Sequence, residues 1–217
     1  MHFMYFDAFL ALLPKIKMQP LPGEAAHAIM SPPERQAAMK KLDWDTINPR
    51  NAAVLVYFYP KDLITHLVLI VRNSYEGVHS SQIAFPGGKV ELYDLSKEAT
   101  ALRETTEEIG VAADEIQVQL PLSEVYIPPS NFRVAPFLAI SHHRPEFNPD
   151  PREVAGIIEL PIASLLDDSN VFLREIATSY SKNIEVPVFD FEGNIVWGAT
   201  AMMLSELKQV INQALKG

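Results

Sequence analysis

The chain has 217 residues, 48% of them hydrophobic, no cysteine and a formal net charge of −9. This is enough apolar material for one well-filled core, while the missing cysteines exclude a disulfide framework, a thiol nucleophile and a zinc–thiolate site. The negative balance excludes the basic footprint of a non-specific nucleic-acid binder, and no run of about 18 apolar residues is present that would cross a bilayer as a helix.

Residues Phe3–Leu13 carry Phe3, Phe6, Phe9 or Leu10, and Leu13 at helical spacing, which predicts a short amphipathic helix stopped at Pro14. It has no basic leader and contains Asp7, so a signal peptide is not expected, and cytoplasm is the default setting. Its polar face lacks the Lys and Arg of a membrane anchor, so no membrane partner is expected. An isolated helix this short is marginal, so its Phe-rich face must be covered by this chain or by a second copy, and a homodimer is expected. Pro20, Pro22, Pro32 and Pro33 then punctuate an irregular stretch before a short polar helix near Glu34–Lys41. Residues 1–50 thus read as a helical extension packed on a catalytic domain of residues 51–217.

Two β-branched and aromatic runs follow, Ala52–Tyr59 and His66–Arg72, around a Pro60-Lys61-Asp62 turn. Val54, Val56, Leu67, Leu69 and Val71 are the expected core residues of this hairpin. A polar loop from Arg72 to Gln82 leads into a strand Ile83–Phe85 and then a Pro86-Gly87-Gly88 turn. Beyond a spacer containing Asp94 lies a helix, Ala99–Ile109. At roughly 100° per residue, Ala99, Leu102, Thr106 and Ile109 fall on one face, with Glu104 and Glu108 on the opposite face and Glu107 beside them. Clustered carboxylates repel, costing about 0.2–0.5 kcal/mol per helical pair, so the pattern points to a cation between them. Oxygen donors alone suit a hard ion, Mg²⁺ or Mn²⁺.

Downstream, Gln117–Val125 and Val134–Ser141 read as strands joined through Pro128-Pro129-Ser130, Val154–Glu159 as another, and Pro161–Leu166 as a short helix. A Glu192-Gly193-Asn194 turn links Val186–Phe191 to Ile195–Trp197. Met203, Leu204, Leu207, Val210, Ile211 and Leu215 mark an amphipathic helix over Thr200–Leu215. Strands and helices without regular βαβ alternation predict an α+β fold, a mixed sheet between helical layers.

The turn and acidic helix together resemble the box of the Nudix hydrolase family. Gly88, Arg103, Glu104, Glu107, Glu108 and Gly110 supply its glycines, its Arg-Glu pair and its Glu-Glu pair in order. The spacer is one residue longer than in the common box, and Thr105 stands at an apolar position. With Phe85-Pro86-Gly87-Gly88 and the longer spacer, the box is similar to that of the subgroup that hydrolyses coenzyme A. Arg72, His79 and Gln82 match that subgroup's upstream signature, although Glu76-Gly77 replaces a Leu-Arg pair and Ser81 a Gly. The Pro-Pro-Ser segment, the Glu153-Val154 strand and Trp197-Gly198-Ala199-Thr200-Ala201 also resemble it.

The resemblance implies an α/β/α sandwich and metal-assisted attack of water on a diphosphate. It implies Gly88, Glu104, Glu107 and Glu108 as metal ligands, with Glu107 a ligand or a base. Arg103 is implied as a site-structuring catalytic residue, and Arg72, His79, Gln82 and Lys89 as substrate contacts. Glu91, Glu146 and Glu153 are candidates for the general base. The substrate implied is coenzyme A or acyl-coenzyme A. Another nucleoside diphosphate derivative (ADP-ribose, NADH or a dinucleotide) and a non-catalytic nucleotide sensor stand as alternatives.

Overall fold

The computed structural model describes residues 4–73, 82–176 and 184–216. The N-terminal region forms α1 (Phe6–Met18), α2 (Glu24–Ile29) and α3 (Pro33–Met39), and then come β1 (Arg50–Lys61) and β2 (Ile64–Arg72). Short strands β3 (Ile83–Ala84) and β4 (Gly87–Lys89) precede helix α4 (Lys97–Ile109). The chain continues through β5 (Gln117–Pro121), β6 (Val125–Ile127), β7 (Phe132–Ile140) and β8 (Val154–Pro161) to α5 (Ile162–Leu166). It closes with β9 (Val171–Ile176), β10 (Ile184–Phe191), β11 (Asn194–Val196) and α6 (Gly198–Lys216).

The main sheet is mixed. β1 runs parallel to β7 from Arg50↔Phe132 to Phe58↔Ile140, and the other pairings are antiparallel. Alternation along β1 sends Ala52, Val56 and Phe58 to one face and Ala53, Leu55, Tyr57 and Tyr59 to the other, and both sets are buried. The first set packs with α1 and α6, the second with Ala101 and Ile109 of α4. The expected mixed sheet between helical layers is thus the architecture found, but β1 and β2 bury two faces where the sequence reading gave them one.

β1 also divides between partners in a way that builds the site. Its last residues pair with β2, Phe58↔Leu67 to Lys61↔Ile64, while its early residues Ala52–Val54 pair with Lys89–Gly87 of β4. The glycine turn is therefore a strand of the sheet, laid directly beneath α4.

Several expectations shift. α1 continues through Pro14, because its buried row Phe6, Phe9, Leu12, Leu13 and Ile16 spans the proline, and this packing outweighs the lost helical hydrogen bond. The row is covered by this chain; the Phe9 and Phe58 rings lie 4.6 Å apart. The β1–β2 turn is the pair Asp62-Leu63, both at positive φ (50° and 65°), so the strand runs on through Pro60. Proline is tolerated there because the β7 pairing has already ended at Phe58. The single strand expected over Gln117–Val125 is two, β5 and β6, broken where the Ser123 amide turns to Glu206. The six-residue α2 and the solvent-exposed β9 carry too short or too mixed a pattern to be read in advance.

Candidate active site

Helix α4 starts at Ser96, whose hydroxyl accepts from the Ala99 amide, and ends at Gly110 in a left-handed conformation (φ 76°). Its buried residues are Thr100, Ala101, Thr105, Glu108 and Ile109. The packed stripe is thus rotated from the expected Ala99–Leu102–Thr106–Ile109 row, and Glu108 lies inside it. Thr105, at a position the box fills with an apolar residue, is buried with its hydroxyl donating to the Ala101 carbonyl at 2.7 Å.

Glu108 is 1% exposed. Its Oε2 accepts the Gly87 amide at 2.8 Å and its Oε1 the Arg72 Nη1 at 3.1 Å. Burial pushes its carboxyl up to about 7, against the opposing pull of Arg72 and the Gly87 amide, with Glu104 and Glu153 adding repulsion. One turn earlier, Glu104 is raised by burial and by Glu107 and Glu153, against Arg103. Gly88 makes room for it: a Cβ there would overlap both Glu104 carboxylate oxygens. The glycine turn and the carboxylates therefore interlock, Gly87 through its amide and Gly88 through its missing side chain.

Arg103 holds the outer side. Its Nε and Nη2 donate to the two oxygens of Asp94 at 2.9 and 3.0 Å, and Nη2 also donates to the Lys89 carbonyl at 3.1 Å. Nη1 reaches Glu104 at 2.9 Å and Glu107 at 3.0 Å. The guanidinium, together with the Glu91 amide and Thr100 hydroxyl, holds the Asp94 carboxyl well below the usual range. Asp94, read in the sequence only as part of the spacer, is thus the anchor of the box arginine. An acid nine residues before the arginine was the available signal, but no helical or strand period connects the two.

Glu107 faces Arg103 with its side chain half exposed. Lys89 points to Glu91 (3.2 Å), and both are exposed. Arg72 lies against Glu108, and the Gln82 carbonyl accepts the Arg72 amide at 3.0 Å. His79, Glu76-Gly77 and Ser81 lie outside the described residues. Of the three candidate bases, Glu91 is taken up by Lys89, and Glu146 lines a polar cleft with Gly110, His143 and Asn148 at the C-terminal end of α4. Glu153 is the one whose charge acts on both Glu104 and Glu108. It is set there by β8, whose Val154 pairs with Arg72 across a bulge, and by the Asn73 amide donating to its carbonyl at 2.8 Å.

Among the described residues, no three acidic or imidazole side chains form a ready-made metal cage; Arg103 and Arg72 instead occupy Glu107 and Glu108. The donor chemistry nevertheless fits a hard divalent cation. The buried Glu108 and the partly buried Glu104 repel each other and Glu153 at the bare Gly88 backbone, and all of the donors are oxygen.

The NUDIX domain family model matches residues 49–178. An uncharacterized Nudix hydrolase NudL of Yersinia enterocolitica is 32% identical over 76% of this chain and 83% of its own length. Nudix hydrolase 22, chloroplastic, of Arabidopsis thaliana is 32% identical over 76% of this chain, although the match spans only 56% of that protein. Among solved structures, the Mycobacterium smegmatis Nudix hydrolase RenU superposes with a TM-score of 0.53 at 16% identity over 76% of this chain and 87% of its own. A MutT/nudix family protein of Enterococcus faecalis gives 0.52 at 15% identity over 95% of this chain and 79% of its own. With its glycine turn interlocked with the acidic face of α4, this chain belongs to the NUDIX domain family and is a Nudix hydrolase, an enzyme of diphosphate bonds.

Proposed function

We propose that this hydrolase is a Mg²⁺- or Mn²⁺-dependent diphosphatase of coenzyme A or acyl-coenzyme A. Its products are 4′-phosphopantetheine, or the acyl form, and adenosine 3′,5′-bisphosphate. The observation that carries the reading is the interlock of Glu104 with Gly88 and of Glu108 with Gly87. It gathers carboxylate oxygens at a backbone free of side chains, where a cation and a diphosphate fit together.

In this reading Glu104, Glu107, Glu108 and the Gly88 carbonyl would hold the cation. When bound, a divalent ion supplies charge neutralisation for the diphosphate and acidifies water. Arg103, fixed by Asp94, orients Glu104 and Glu107 as a positioning residue. Glu153 takes the proton from the attacking water. Arg72, which lies against Glu108, would contact a substrate phosphate from the same side of the turn. Lys89, Gln82 and His79 complete the substrate contacts.

Coenzyme A is favoured over other diphosphates by the Phe85-Pro86-Gly87-Gly88 turn with its long spacer and by Arg72…His79…Gln82. Glu76-Gly77, which replaces an expected cation, favours ADP-ribose or another nucleoside diphosphate derivative as the second reading. The intact Glu104, Glu107 and Glu108 speak against a sensor without activity. The enzyme acts in the cytoplasm as a homodimer. Because the α1 row is covered within the chain, that interface lies elsewhere, and a monomer by light scattering at micromolar concentration removes it. Among the described residues, no helix is long and apolar enough to cross a membrane.

The test is turnover with Mg²⁺ or Mn²⁺ of coenzyme A, 3′-dephospho-coenzyme A, ADP-ribose, NADH and nucleoside triphosphates. Coenzyme A should be cleaved fastest, with Arg72→Ala narrowing its lead over the dephospho compound. Equal cleavage of those two shows that the 3′-phosphate is not read, and faster cleavage of ADP-ribose moves the assignment to the second reading.

A further inference from the structure

The loop between β4 and α4 holds three large apolar side chains away from the protein. Leu92 and Leu95 are as exposed as in an extended chain (106% and 97%), and Tyr93 is 69% exposed. Such exposure in a slack loop would be unremarkable, but this loop is held at its centre. Asp94 accepts from the Glu91 amide at 2.9 Å, from the Thr100 hydroxyl at 2.8 Å and from Arg103 through two nitrogens. The leucines on either side of Asp94 and Tyr93 are thus presented on a fixed support. The loop is also continuous with the carboxylate cluster: the Arg103 guanidinium lies 5.5 Å from the Tyr93 ring centre, and its Nη1 touches Glu104 and Glu107.

Three occupants compete for this apolar edge. A second copy of the chain is disfavoured by area, since three side chains offer at most a few hundred Å², short of the ~800 Å² per partner of a stable interface. An anionic membrane surface is disfavoured by charge. The two lysines that flank the loop are each tied to a carboxylate, Lys89 to Glu91 and Lys97 to Glu124, Glu98 stands beside them, and the whole chain carries −9. A small molecule that reaches the site with its diphosphate and carries an apolar tail requires neither the area nor the charge.

Resting on the diphosphatase reading above, we propose that Leu92, Tyr93 and Leu95 form a subsite for the apolar tail of the substrate, so that the enzyme selects acylated over free coenzyme A. Asp94 serves both parts: it holds Arg103 against the carboxylates and fixes the leucines that meet the tail. Covering even one of these leucines with hydrocarbon corresponds to roughly tenfold or more in affinity.

The experiment compares kcat/KM for coenzyme A with that for octanoyl- and lauroyl-coenzyme A, kept below micellar concentration, in wild type and in a Leu92→Ser/Leu95→Ser variant. Thermal unfolding of both proteins establishes that the variant is folded. The wild-type acyl-to-free ratio should exceed about tenfold, mainly through KM, and fall towards one in the variant. A wild-type ratio near one, or a ratio unchanged in the variant, overturns the subsite while leaving the diphosphatase reading in place. Failure of the wild type to cleave either free or acylated coenzyme A, with turnover of another diphosphate, overturns both. Light scattering and co-sedimentation with phosphatidylcholine vesicles cover the other occupants. A dimer or vesicle binding that the double substitution abolishes assigns the leucines to that contact instead.

Discussion

Asp94 and Arg103, nine residues apart across the start of α4, are joined by two hydrogen bonds of 2.9 and 3.0 Å. The carboxylate thereby fixes a guanidinium that also touches Glu104 and Glu107. Asp94→Asn keeps the shape but presents an amide N–H to a donor. We expect kcat to fall about tenfold or more as Arg103 loses its fixed fork, with smaller change in KM. Steady-state kinetics that show an unchanged kcat would remove Asp94 from the positioning of the site.

Glu104 and Glu108 are chemically identical but differ in what their loss should do. Glu104→Gln gives up a partly exposed ion pair, so stability should change by less than about 1 kcal/mol. Glu108→Gln turns an amide N–H towards either the Gly87 amide or Arg72, at a cost of about 1–3 kcal/mol. Both should lose at least about 10²-fold in turnover. Denaturation and kinetics on the two variants read the split, and near-wild-type turnover in either removes it from the ligand set.

That difference also marks where the sequence stops being informative. The Gly-Gly turn, the acidic helix and most strands could be read because each has a local period or a local breaker. The orientation of α4 could not. Its apolar residues are few, and the missing side chains of Gly87 and Gly88 let the helix bury a carboxylate where periodicity expects hydrocarbon. Asp94 and Glu153 were underrated because their partners, Arg103 and the Glu104–Glu108 pair, are reached through a turn and a β-bulge. Pro14 misled for the opposite reason, since a local rule yielded to the packing of Phe9 and Ile16.

Glu108 also predicts a link between pH and metal. Its carboxyl is raised by burial to about 7, so between the ordinary carboxylate range and that value the folded state binds the proton more tightly than the unfolded state. Stability from this group is therefore present at low pH and lost as pH rises through that window. In the proposed reading, a divalent cation bound to the ionised carboxylate would restore it. Mg²⁺ should raise Tm more at about pH 8 than at about pH 5, and Glu108→Gln should flatten the difference. An equal rise at both values in the wild type would show that the ion binds elsewhere.

Far from this chemistry, Glu206 of α6 is fully buried and accepts the amides of Gly23 and Ser123, each at 3.0 Å, with His27 Nε2 at 3.5 Å. It fastens the N-terminus of α2 and the β5–β6 connection to the last helix. Glu206→Ala leaves two partly buried amides without their acceptor, a loss of about 2–4 kcal/mol. Urea unfolding should show that loss, while turnover per folded molecule stays close to wild type. A change within about 0.5 kcal/mol would mean that water replaces the carboxylate.

The adjacent glycines of the turn give the sharpest contrast, because each is required for a different reason. Gly87 has φ 148°, and a Cβ there would run into the Ala53 carbonyl oxygen and to 2.5 Å from the Val54 Cα. Both obstacles are backbone of β1, which is tied to β7 along its other edge and cannot give way without loss of the ladder. Gly87→Ala should therefore cost about 3 kcal/mol or more and reduce soluble yield. Gly88 meets only the end of the Glu104 side chain, which can turn aside. Gly88→Ala should unfold within about 1 kcal/mol of wild type and yet lose about 10- to 100-fold in turnover, because the displaced carboxylate no longer faces Glu108 across the turn. Raising Mg²⁺ should recover part of the lost rate if the defect is weakened ion binding. A Gly88→Ala protein that is both folded and fully active would show that the Glu104–Gly88 fit has no part in catalysis.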